Sequence, residues 1–543
     1  MTATTSSYNN FLPAPARLVL PYFILFLVTF AAYGNIFENS FVFDDDLLIQ
    51  MNSYLRSWSH IGELIRGSTT SGAYIAGGFY RPIQMLLYLV VFQLGHGEPF
   101  LFHLLNLSLH AINACLVYRL GTKLGFNAWG VFLASLIWTL HPLHTEAITY
   151  MSATADPLFA LFCLWAIIVA LPDINQQKIF KIIPLFLLGL ISKETTVMLP
   201  LLVMACLFLT HPRPLELRTY LRTWPLWIIT IAYTIWRMNS DFLDGPKTFQ
   251  HLYSQHNFSN LKIYADNPLY RFYTFLATLP IYAKLLVWPT GLHMERAFSV
   301  YTGIFVAPVM TGLGIIILAA TQIIQSCIRK KGKGSPMSWG LLWFAAAHSP
   351  DSGILVQMNA LFLEHWMYLP SVGLFLGIAE TCARAIKNRA KVIAIICSLG
   401  AVVFAGVLAN KTYNQNEVWL DAPHFYNNIF SYGEQSARAR NNLALYYAGV
   451  GDLTGAVEQF KQAIAISDSY AETRHNLALI YLRMDQKEHV QDALDNLNRA
   501  IEIDPNFYRS YQTMGDIYGT LLNDPDKATY YHNRAAELKK LRE

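Results

Sequence analysis

Three consecutive carboxylates, Asp44-Asp45-Asp46, lie just beyond the first apolar run of the chain, which covers residues 18–36. Carboxylates at the edge of a membrane are costly to keep ionised, so a chain that retains them there generally uses them. A positioned carboxylate can take the proton of an attacking hydroxyl as a general base. Asp44 and Asp45 are therefore candidate catalytic bases, with Asp46 a weaker third. The alternative is that these acids only cap a helix end or flank a span.

Basic residues near the same membrane edge could bind a phosphate leaving group. Such a group is stabilised by cations placed where its charge develops, and Arg81 is the candidate phosphate clamp. Acids and cations together suit transfer of a group from a lipid phosphate to a hydroxyl. Arg81 could instead extend from an interfacial helix into water, and Lys193 and Glu194 could form only an ion pair at a helix start. The predicted substrate-binding residues are Tyr80, Arg81, His141, His144, Lys193, Glu194, Arg237, Glu364 and His365, and Arg296 is a further candidate cation.

A second polar cluster, His141-Pro142-Leu143-His144-Thr145-Glu146, follows another apolar run. A His-x-x-His pair with a carboxylate can bind zinc, so a divalent metal is one alternative here. Pro142 breaks the helical face that would align the imidazoles, and no His-Glu-x-x-His motif is present. We therefore predict no metal ligands. We expect these side chains to bind sugar or acceptor hydroxyls, or to hold the acid cluster in place.

The composition is that of a membrane protein with a water-soluble tail. Of the 543 residues, 54% are hydrophobic and 14% are charged, whereas soluble proteins carry about a quarter charged residues. The net charge of +4 is too small to indicate nucleic-acid binding. All six cysteines lie in or beside apolar runs, so no disulfide framework is expected. The first apolar run has no small-residue cleavage site after it and is expected to be a retained anchor.

Eleven apolar runs are predicted to cross the membrane as helices. With the N-terminus inside, 16 of the 26 basic residues before position 410 fall in the short inner segments, as the positive-inside rule requires. A crossing by 80–95 or by 272–288 would move later basic residues outside. We expect 80–95 to be interfacial and 272–288 to be re-entrant or interfacial; if both cross, there are about 13 spans. The eleven runs are 18–36, 100–118, 126–141, 156–171, 179–191, 195–210, 223–236, 301–325, 337–349, 367–383 and 392–409.

The C-terminal tail is a helical repeat array. Asn442-Leu443-Ala444 recurs 34 positions later as Asn476-Leu477-Ala478. Small residues at such positions let paired helices pack closely, and the next pair covers the face left open. The period predicts about three tetratricopeptide repeats in 436–543, after a membrane domain (1–409) and a linker (410–435). An unrelated helical bundle is the alternative. In the predicted topology the tail and the polar clusters share the outer side.

Several motifs, taken in order, resemble the GT-C-fold glycosyltransferases. The resemblance is closest to the transmembrane and tetratricopeptide-repeat O-mannosyltransferases and their bacterial relatives, and it covers nearly the whole chain. The matching motifs are Phe43-Asp44-Asp45 with Asn52, Tyr80-Arg81-Pro82, Pro99-Phe100, His103-Leu104-Leu105-Asn106 with His110, His141-Pro142 with His144-Thr145-Glu146-Ala147, Ser192-Lys193-Glu194-Thr195 and Tyr368-Leu369-Pro370-Ser371-Val372-Gly373.

This resemblance implies an all-α, polytopic, GT-C-like bundle followed by a soluble repeat solenoid. It implies a polyprenyl-phosphate sugar as donor and a protein hydroxyl on the non-cytoplasmic side as acceptor. The family's acidic pair falls on Asp44-Asp45, and its second-loop acid falls on Glu146 as a third catalytic candidate. The chain departs from the pattern in the extra acid Asp46, in Glu364-His365 where relatives tend to have Glu-Arg, and in its short array.

Two other functions remain open at this point. The repeats could belong to a non-enzymatic membrane scaffold that assembles a cell-surface complex, although a scaffold has no use for carboxylates beside the bilayer. The same chemistry could also act on a glycan or lipid acceptor. Cysteine-free outer segments and a short array favour a bacterial inner membrane with a periplasmic tail over the endoplasmic reticulum membrane of a eukaryote.

Overall fold

The computed structural model of the chain describes residues 14–73, 78–171, 174–211, 216–240, 259–296, 298–329, 334–356, 358, 360–387 and 389–542. Within these ranges every regular element is a helix, so the predicted all-α fold is confirmed. The chain divides into two compact units, which we call the membrane unit and the repeat unit. The membrane unit comprises Met1–Pro246, Tyr264–Met294 and Phe298–Asp421, and the repeat unit comprises Lys247–Ile263, Glu295–Ala297 and Ala422–Glu543.

Each of the eleven segments predicted to cross the membrane contains a helix, and so do 80–95 and 272–288. The α-helices up to residue 416 are α1 (Ala14–Ala32), α2 (Ile61–Arg66), α3 (Pro82–Gly95), α4 (Pro99–Lys123), α5 (Ala128–Thr139), α6 (Thr145–Ile148), α7 (Ala155–Ala170), α8 (Gln176–Leu190), α9 (Leu199–Thr210), α10 (Leu217–Tyr220), α11 (Trp224–Met238), α12 (Ser259–Asp266), α13 (Pro268–Val287), α14 (Ala307–Arg329), α15 (Pro336–His348), α16 (Pro370–Ile386) and α17 (Lys391–Asn416).

Length and hydropathy identify candidate membrane spans among the described residues. Four helices are long and apolar enough to cross: Pro99–Lys123, Met151–Ala170, Ala307–Arg329 and Lys391–Trp419. Shorter helices can cross a membrane only if it thins or if flanking residues extend to the interface. The total of 11–13 crossings therefore stays a prediction. The shorter apolar helices are Val19–Ala32, Pro82–Gly95, Ala128–Thr139 and Glu194–Thr210.

Two helix boundaries differ from those predicted. The run 301–325 becomes helical only at Ala307, because Pro308 is tolerated in the first turn of a helix but not in its interior. The last membrane helix continues through the polar residues beyond 409 to Asn416. There Thr412 donates to the carbonyl of Leu140 at 2.8 Å. The domain boundary placed at 409 thus lies inside α17, and the membrane unit ends at Asp421.

Glycines let two helices of the membrane unit approach closely. A Cβ at Gly340 of α15 would lie 2.5 Å from the carbonyl oxygen of Gly373 in α16. A Cβ at Gly377 would lie 2.7 Å from the carbonyl oxygen of Pro336. Small residues allow such backbone contact between membrane helices, which associate mainly by packing and hydrogen bonding. This seam leaves no room for a side chain.

The repeat unit contains helix pairs at the predicted spacing. Ala444, Ala456 and Ala463 are buried between helices, as are Ala478, Ala493 and Ala500 in the next pair. The loop between Met484 and Val490 in the second pair is longer than the loop between Gly449 and Leu453 in the first. The helices of this unit are α18 (Ala422–Ser431), α19 (Ala437–Gly449), α20 (Leu453–Ile466), α21 (Ala471–Met484), α22 (Val490–Ile503), α23 (Tyr508–Thr520) and α24 (Pro525–Arg542).

Candidate active site

Burial separates the three acids of the first loop. Asp45 is fully buried, whereas Asp44 and Asp46 are exposed. The residue before them, Phe43, has a φ of 58°, which is an outlier for a bulky side chain. Such strain persists only where surrounding contacts hold the backbone, and it occurs often at functional sites. Here the Phe43 ring packs against that of Tyr150, with 6.2 Å between the centroids. This strained segment presents Asp44 on the surface beside a buried carboxyl.

The buried Asp45 carboxylate is held by the turn Met151–Thr154. Its Oδ1 accepts hydrogen bonds from the Ser152 backbone N at 2.8 Å and from Ser152 Oγ at 2.5 Å. Its Oδ2 accepts one from the backbone N of Val42 at 3.1 Å. Burial raises the pKa of Asp45 to about 7, although these hydrogen bonds oppose the shift. Asp45 therefore anchors the loop, and Asp44 is the better placed of the pair to meet an acceptor hydroxyl.

The same turn also fixes α3, the helix that begins directly after Arg81. Gln84 Nε2 donates to the carbonyl of Ser152 at 3.0 Å. Tyr88 Oη donates to the carbonyl of Met151 at 2.6 Å. One short turn thus connects the acid loop with the helix whose first turn carries the predicted phosphate clamp.

Polar residues on α4 hold the 148–154 segment from the other side. Asn106 Nδ2 donates to the carbonyls of Ile148 at 3.2 Å and Tyr150 at 3.1 Å, and its Oδ1 accepts from Thr154 Oγ1 at 2.5 Å. These groups are buried, so each hydrogen bond removes a desolvation penalty that an unpaired group would carry. The Asn of the His103–Asn106 motif therefore has a positioning role.

Arg81 is half of an ion pair. Its Nη2 lies 2.7 Å from Glu194 Oε1 and its Nε lies 3.2 Å from Glu194 Oε2, a bidentate arrangement. The Arg81 side chain is 14% exposed and that of Glu194 is 30% exposed, so solvent reaches the pair. The guanidinium also lies over the ring of Phe79, 4.5 Å from its centroid. Because Arg81 has contacts on several sides, its side chain does not simply extend from an interfacial helix into water.

Lys193 pairs with an acid that the sequence analysis did not single out. Its Nζ lies 2.6 Å from Asp156 Oδ1, and the two side chains are 5% and 6% exposed. Lys193 and Glu194 therefore do not pair with each other; each has its own partner. Asp156 follows the 151–154 turn in the first turn of α7, so the same short segment that holds Asp45 also supplies the partner of Lys193.

The second-loop acid, Glu146, is buried and joined to His365. Glu146 Oε1 lies 2.8 Å from His365 Nδ1, and its Oε2 accepts hydrogen bonds from the backbone N of Glu364 at 2.9 Å and of His365 at 3.2 Å. Burial alone would lower the pKa of His365, but the charges of Asp156 and Glu146 raise it above its ordinary value. Glu364 Oε1 in turn accepts from the backbone N of His293 at 3.1 Å. His365 thus supplies a basic contact to Glu146.

The two histidines of the second polar cluster differ in their partners. His141 Nδ1 accepts from the backbone N of Leu143 at 3.2 Å, so the proton lies on Nε2, which donates to the carbonyl of Leu286 at 3.2 Å. His144 is buried against Tyr368 and its ring nitrogens have no hydrogen-bond partner among the described residues. Burial lowers the pKa of His144, so its imidazole is neutral. No group of three His, Cys, Asp or Glu side chains in the described ranges is arranged to hold a metal ion.

The remaining predicted residues occupy different places. The ring of Tyr80 packs edge-on against that of Trp236, with 5.3 Å between the centroids. Arg237 Nη2 donates to the carbonyl of Gly78 at 2.8 Å, close along the chain to Tyr80 and Arg81. Arg296 belongs to the repeat unit and not to the membrane unit that carries the other predicted residues.

Comparison with known proteins gives relatives over most of the chain. Residues 436–467 match the tetratricopeptide-repeat family. The chain is 23% identical over 466 residues to the protein O-mannosyl-transferase F38B6.6 of Caenorhabditis elegans, across 83% of this chain and 63% of that relative. The resemblance to the O-mannosyltransferases is confirmed. The human O-mannosyl-transferase TMTC1 is 21% identical across 82% of this chain and 55% of its own length, and the human TMTC3 is 23% identical across 86% and 53%.

This chain thus spans between 53% and 63% of the length of these O-mannosyltransferases. Together with the long apolar helices, the relatives agree with a membrane protein that carries tetratricopeptide repeats. The predicted O-mannosyltransferase resemblance and the predicted fold class therefore stand.

The contacts that organise the site come mostly from residues that the sequence analysis missed. These residues are Gln84, Tyr88, Ser152, Asp156 and Asp351. One signal was available: Asp156 is an acid at the start of an otherwise apolar helix, where the burial of a charge demands a partner. The others have no sequence signal, because their roles follow from which turns pack together.

Proposed function

We propose that the protein transfers a mannosyl group from a polyprenyl-phosphate donor to a hydroxyl of a protein on the non-cytoplasmic side of its membrane. Relatives over more than four-fifths of the chain are named protein O-mannosyl-transferases. The observation that carries the proposal is the Met151–Thr154 turn, which holds both the loop of Asp44 and the helix that follows Arg81. The turn thus supports both a general base and a phosphate-binding cation. This combination suits the attack of a hydroxyl on a sugar phosphate.

In the proposed step, the acceptor oxygen forms a bond to the anomeric carbon of the sugar. Its proton passes to the carboxylate of Asp44, acting as general base. The bond between the anomeric carbon and the phosphate oxygen breaks, and its electron pair leaves with the polyprenyl phosphate. Arg81 stabilises the charge that develops on that phosphate. A single displacement of this kind inverts the configuration at the anomeric carbon.

The other predicted residues act around this centre. Asp45 keeps the Asp44 loop in place through Ser152. Glu146 and His365 form an ion pair that fixes the Glu364–Met367 turn, and Lys193 with Glu194 holds the segment facing Arg81. His144, neutral and without a partner in the described residues, is the free imidazole offered to a sugar hydroxyl. Glu364, His141, Tyr80 and Arg237 support the surrounding turns.

The repeats are proposed to recruit the acceptor protein, because such arrays bind polypeptide segments in their concave groove. The distribution of basic residues supports placing the acid loop on the outer side, which in a bacterium is the periplasm. An acceptor delivered from that side would meet a donor whose lipid tail keeps it in the bilayer.

The full chain, purified in lipid nanodiscs, tests the proposal with polyprenyl-phosphate mannose and a secreted acceptor protein. We expect mannosylated acceptor with this donor and none with a nucleotide-linked mannose. No product from the lipid donor would refute the donor assignment. A chain ending at Asp421, the end of the membrane unit, should keep transfer to a short Ser/Thr peptide and lose most transfer to the whole protein. Equal transfer to both acceptors would refute recruitment by the repeats.

A further inference from the structure

Asp351 is a buried carboxyl that the proposed step does not use. It lies on the turn Pro350–Ser352, and its residue is 5% exposed. Its Oδ1 has no hydrogen-bond partner among the described residues. The turn packs against the turn Glu194–Met198, which begins one residue after Lys193. Burying a carboxyl without a partner costs free energy. The charged groups around Asp351 therefore determine when it ionises.

Several ionisable side chains act electrostatically on Asp351. They are Lys193 and Glu194 of the 193–198 segment, Asp156 of α7 and His365 of the 364–367 turn. Tyr282 of α13 is a further neighbour, and His348 ends the helix that leads into the turn. Asp351 therefore lies among the members of the three ion pairs of the site.

The charges of these pairs balance without Asp351. Arg81 is paired with Glu194, Lys193 with Asp156, and protonated His365 with Glu146. Each pair joins one positive and one negative group. Asp351 has no ion-pair partner within the described part of the chain. When it is protonated the cluster stays balanced, and when it is ionised the cluster carries one additional negative charge.

We propose that Asp351 sets the net charge of the donor site, so that its protonated form admits a lipid phosphate beside Arg81 and its ionised form repels one. This inference rests on the proposed phosphate-linked donor. A phosphodiester keeps its single negative charge at all pH values at which the protein is folded. Any pH dependence of donor binding must therefore come from the protein, and Asp351 is a buried carboxyl that the three ion pairs leave out.

The position of this titration follows from burial. Burial, opposed by the charge of Lys193 and assisted by that of Asp156, raises the pKa of Asp351 to about 7. Donor affinity should be high below that pH and should fall above it. We expect the added charge to weaken donor binding about tenfold, which corresponds to ~1.4 kcal/mol. Asp351 acts through the field at the phosphate and touches neither substrate.

The test measures the dissociation constant of polyprenyl-phosphate mannose for the full chain in nanodiscs, without acceptor, between pH 5.5 and 8.5 at constant ionic strength. The parent should bind about tenfold more weakly at the alkaline end. Asp351→Asn should bind tightly across the whole range, and Asp351→Glu, which restores a titrating carboxyl, should recover the dependence. Asp266→Asn, which removes an exposed carboxylate of the same unit, should follow the parent.

A flat parental profile would overturn the inference even if Asp351→Asn did not fold. A dependence that persisted in Asp351→Asn would also overturn it and would assign the titration to His365. A merely structural Asp351 would change thermal stability in the variants and leave the pH profile of binding unchanged. Absence of donor binding by the parent at every pH would instead refute the proposed function, so the two failures are distinguishable.

Discussion

The Lys193–Asp156 pair of the membrane unit and the Arg509–Glu472 pair of the repeat unit differ in how much water reaches them. Lys193 and Asp156 are 5% and 6% exposed. In the repeat unit, Arg509 and Glu472 are 58% and 66% exposed and 4.0 Å apart. Water and salt screen the second kind of pair, so it contributes little to folding. In a buried pair such as Lys193–Asp156, the attraction between the two charges must offset the free-energy cost of their desolvation. The pair with both side chains buried belongs to the unit that carries the proposed chemistry.

Asp44 contrasts with Asp156 of the same unit, because the Asp44 side chain is exposed and that of Asp156 is buried. Replacing it by its amide keeps the shape and removes the basicity, so Asp44→Asn should lower the rate of transfer by ~10² to 10⁴ without loss of folding. Initial rates with polyprenyl-phosphate mannose measure this. Asp46→Asn, also exposed, is the matched control and should be much milder. Parental activity in Asp44→Asn would move the base to another residue, with Glu146 next to be examined.

Asp45→Asn sharpens the same contrast. Its carboxylate holds Ser152 and Val42, so the amide should reduce thermal stability as well as activity, whereas Asp44→Asn should reduce activity alone. Melting curves of both variants in detergent separate the two roles. Equal stability of the two variants would show that the buried acid is not an anchor.

The Lys193–Asp156 pair should be the most sensitive of the buried contacts. Lys193→Met leaves Asp156 buried and uncompensated, which we expect to destabilise the membrane unit by about 3–5 kcal/mol. The double variant Lys193→Met with Asp156→Leu should recover most of this loss, because it removes both charges. The change appears as a shift of the melting midpoint, with exposed Lys387→Met as control. No difference between the single and double variants would mean that solvent reaches the pair.

The Glu146–His365 pair should make stability depend on pH. The folded-state pKa of His365 is raised, so its contribution is complete below the ordinary value of 6.5 and is lost as pH rises through the raised value. The difference in melting midpoint between the parent and Glu146→Gln should therefore shrink from acidic to alkaline pH. A difference that stayed constant from pH 6 to pH 9 would contradict a protonated His365.

The smallest effect is expected in the repeat unit. Arg509→Ala removes an exposed pair and should change stability by at most ~1 kcal/mol, within the range measured for surface ion pairs. Thermal unfolding followed by circular dichroism measures it at low and at moderate salt. A loss as large as that for Lys193→Met would abolish the contrast between the two units.

The sequence predicts the helices of this protein far better than the contacts of its site. Apolar runs located segments that contain helices, as expected because a helix satisfies its own backbone hydrogen bonds in lipid. The 34-residue period located the helix pairs of the tail. The predicted helix boundaries were less accurate where a helix extends beyond its apolar run. The helix that ends at Asn416 is an example, because polar residues continue it and pack inward.

The partners of the site residues depend on tertiary packing, so they could not be predicted from the sequence. Two adjacent aspartates look alike in a sequence, yet a left-handed backbone at Phe43 leaves one exposed and buries the other. Nothing local distinguishes Asp351 from an ordinary turn residue, and Asp156 is marked only as an acid at the start of an apolar helix. The approach of separate segments pairs Asp156 with Lys193 and buries Asp351 against the Glu194–Met198 turn.

The Met151–Thr154 turn has a consequence for thermal motion. Because the acid loop and the Arg81 helix are both bound to it, a displacement of the turn carries them together and leaves their separation nearly unchanged. Relative displacement of catalytic groups by even 1 Å can reduce a rate ~10²-fold. The surrounding bundle can therefore fluctuate with lipid thickness or temperature while the spacing between the Asp44 loop and the helix after Arg81 is preserved. The four residues of the Met151–Thr154 turn then make this spacing tolerant of changes in membrane composition.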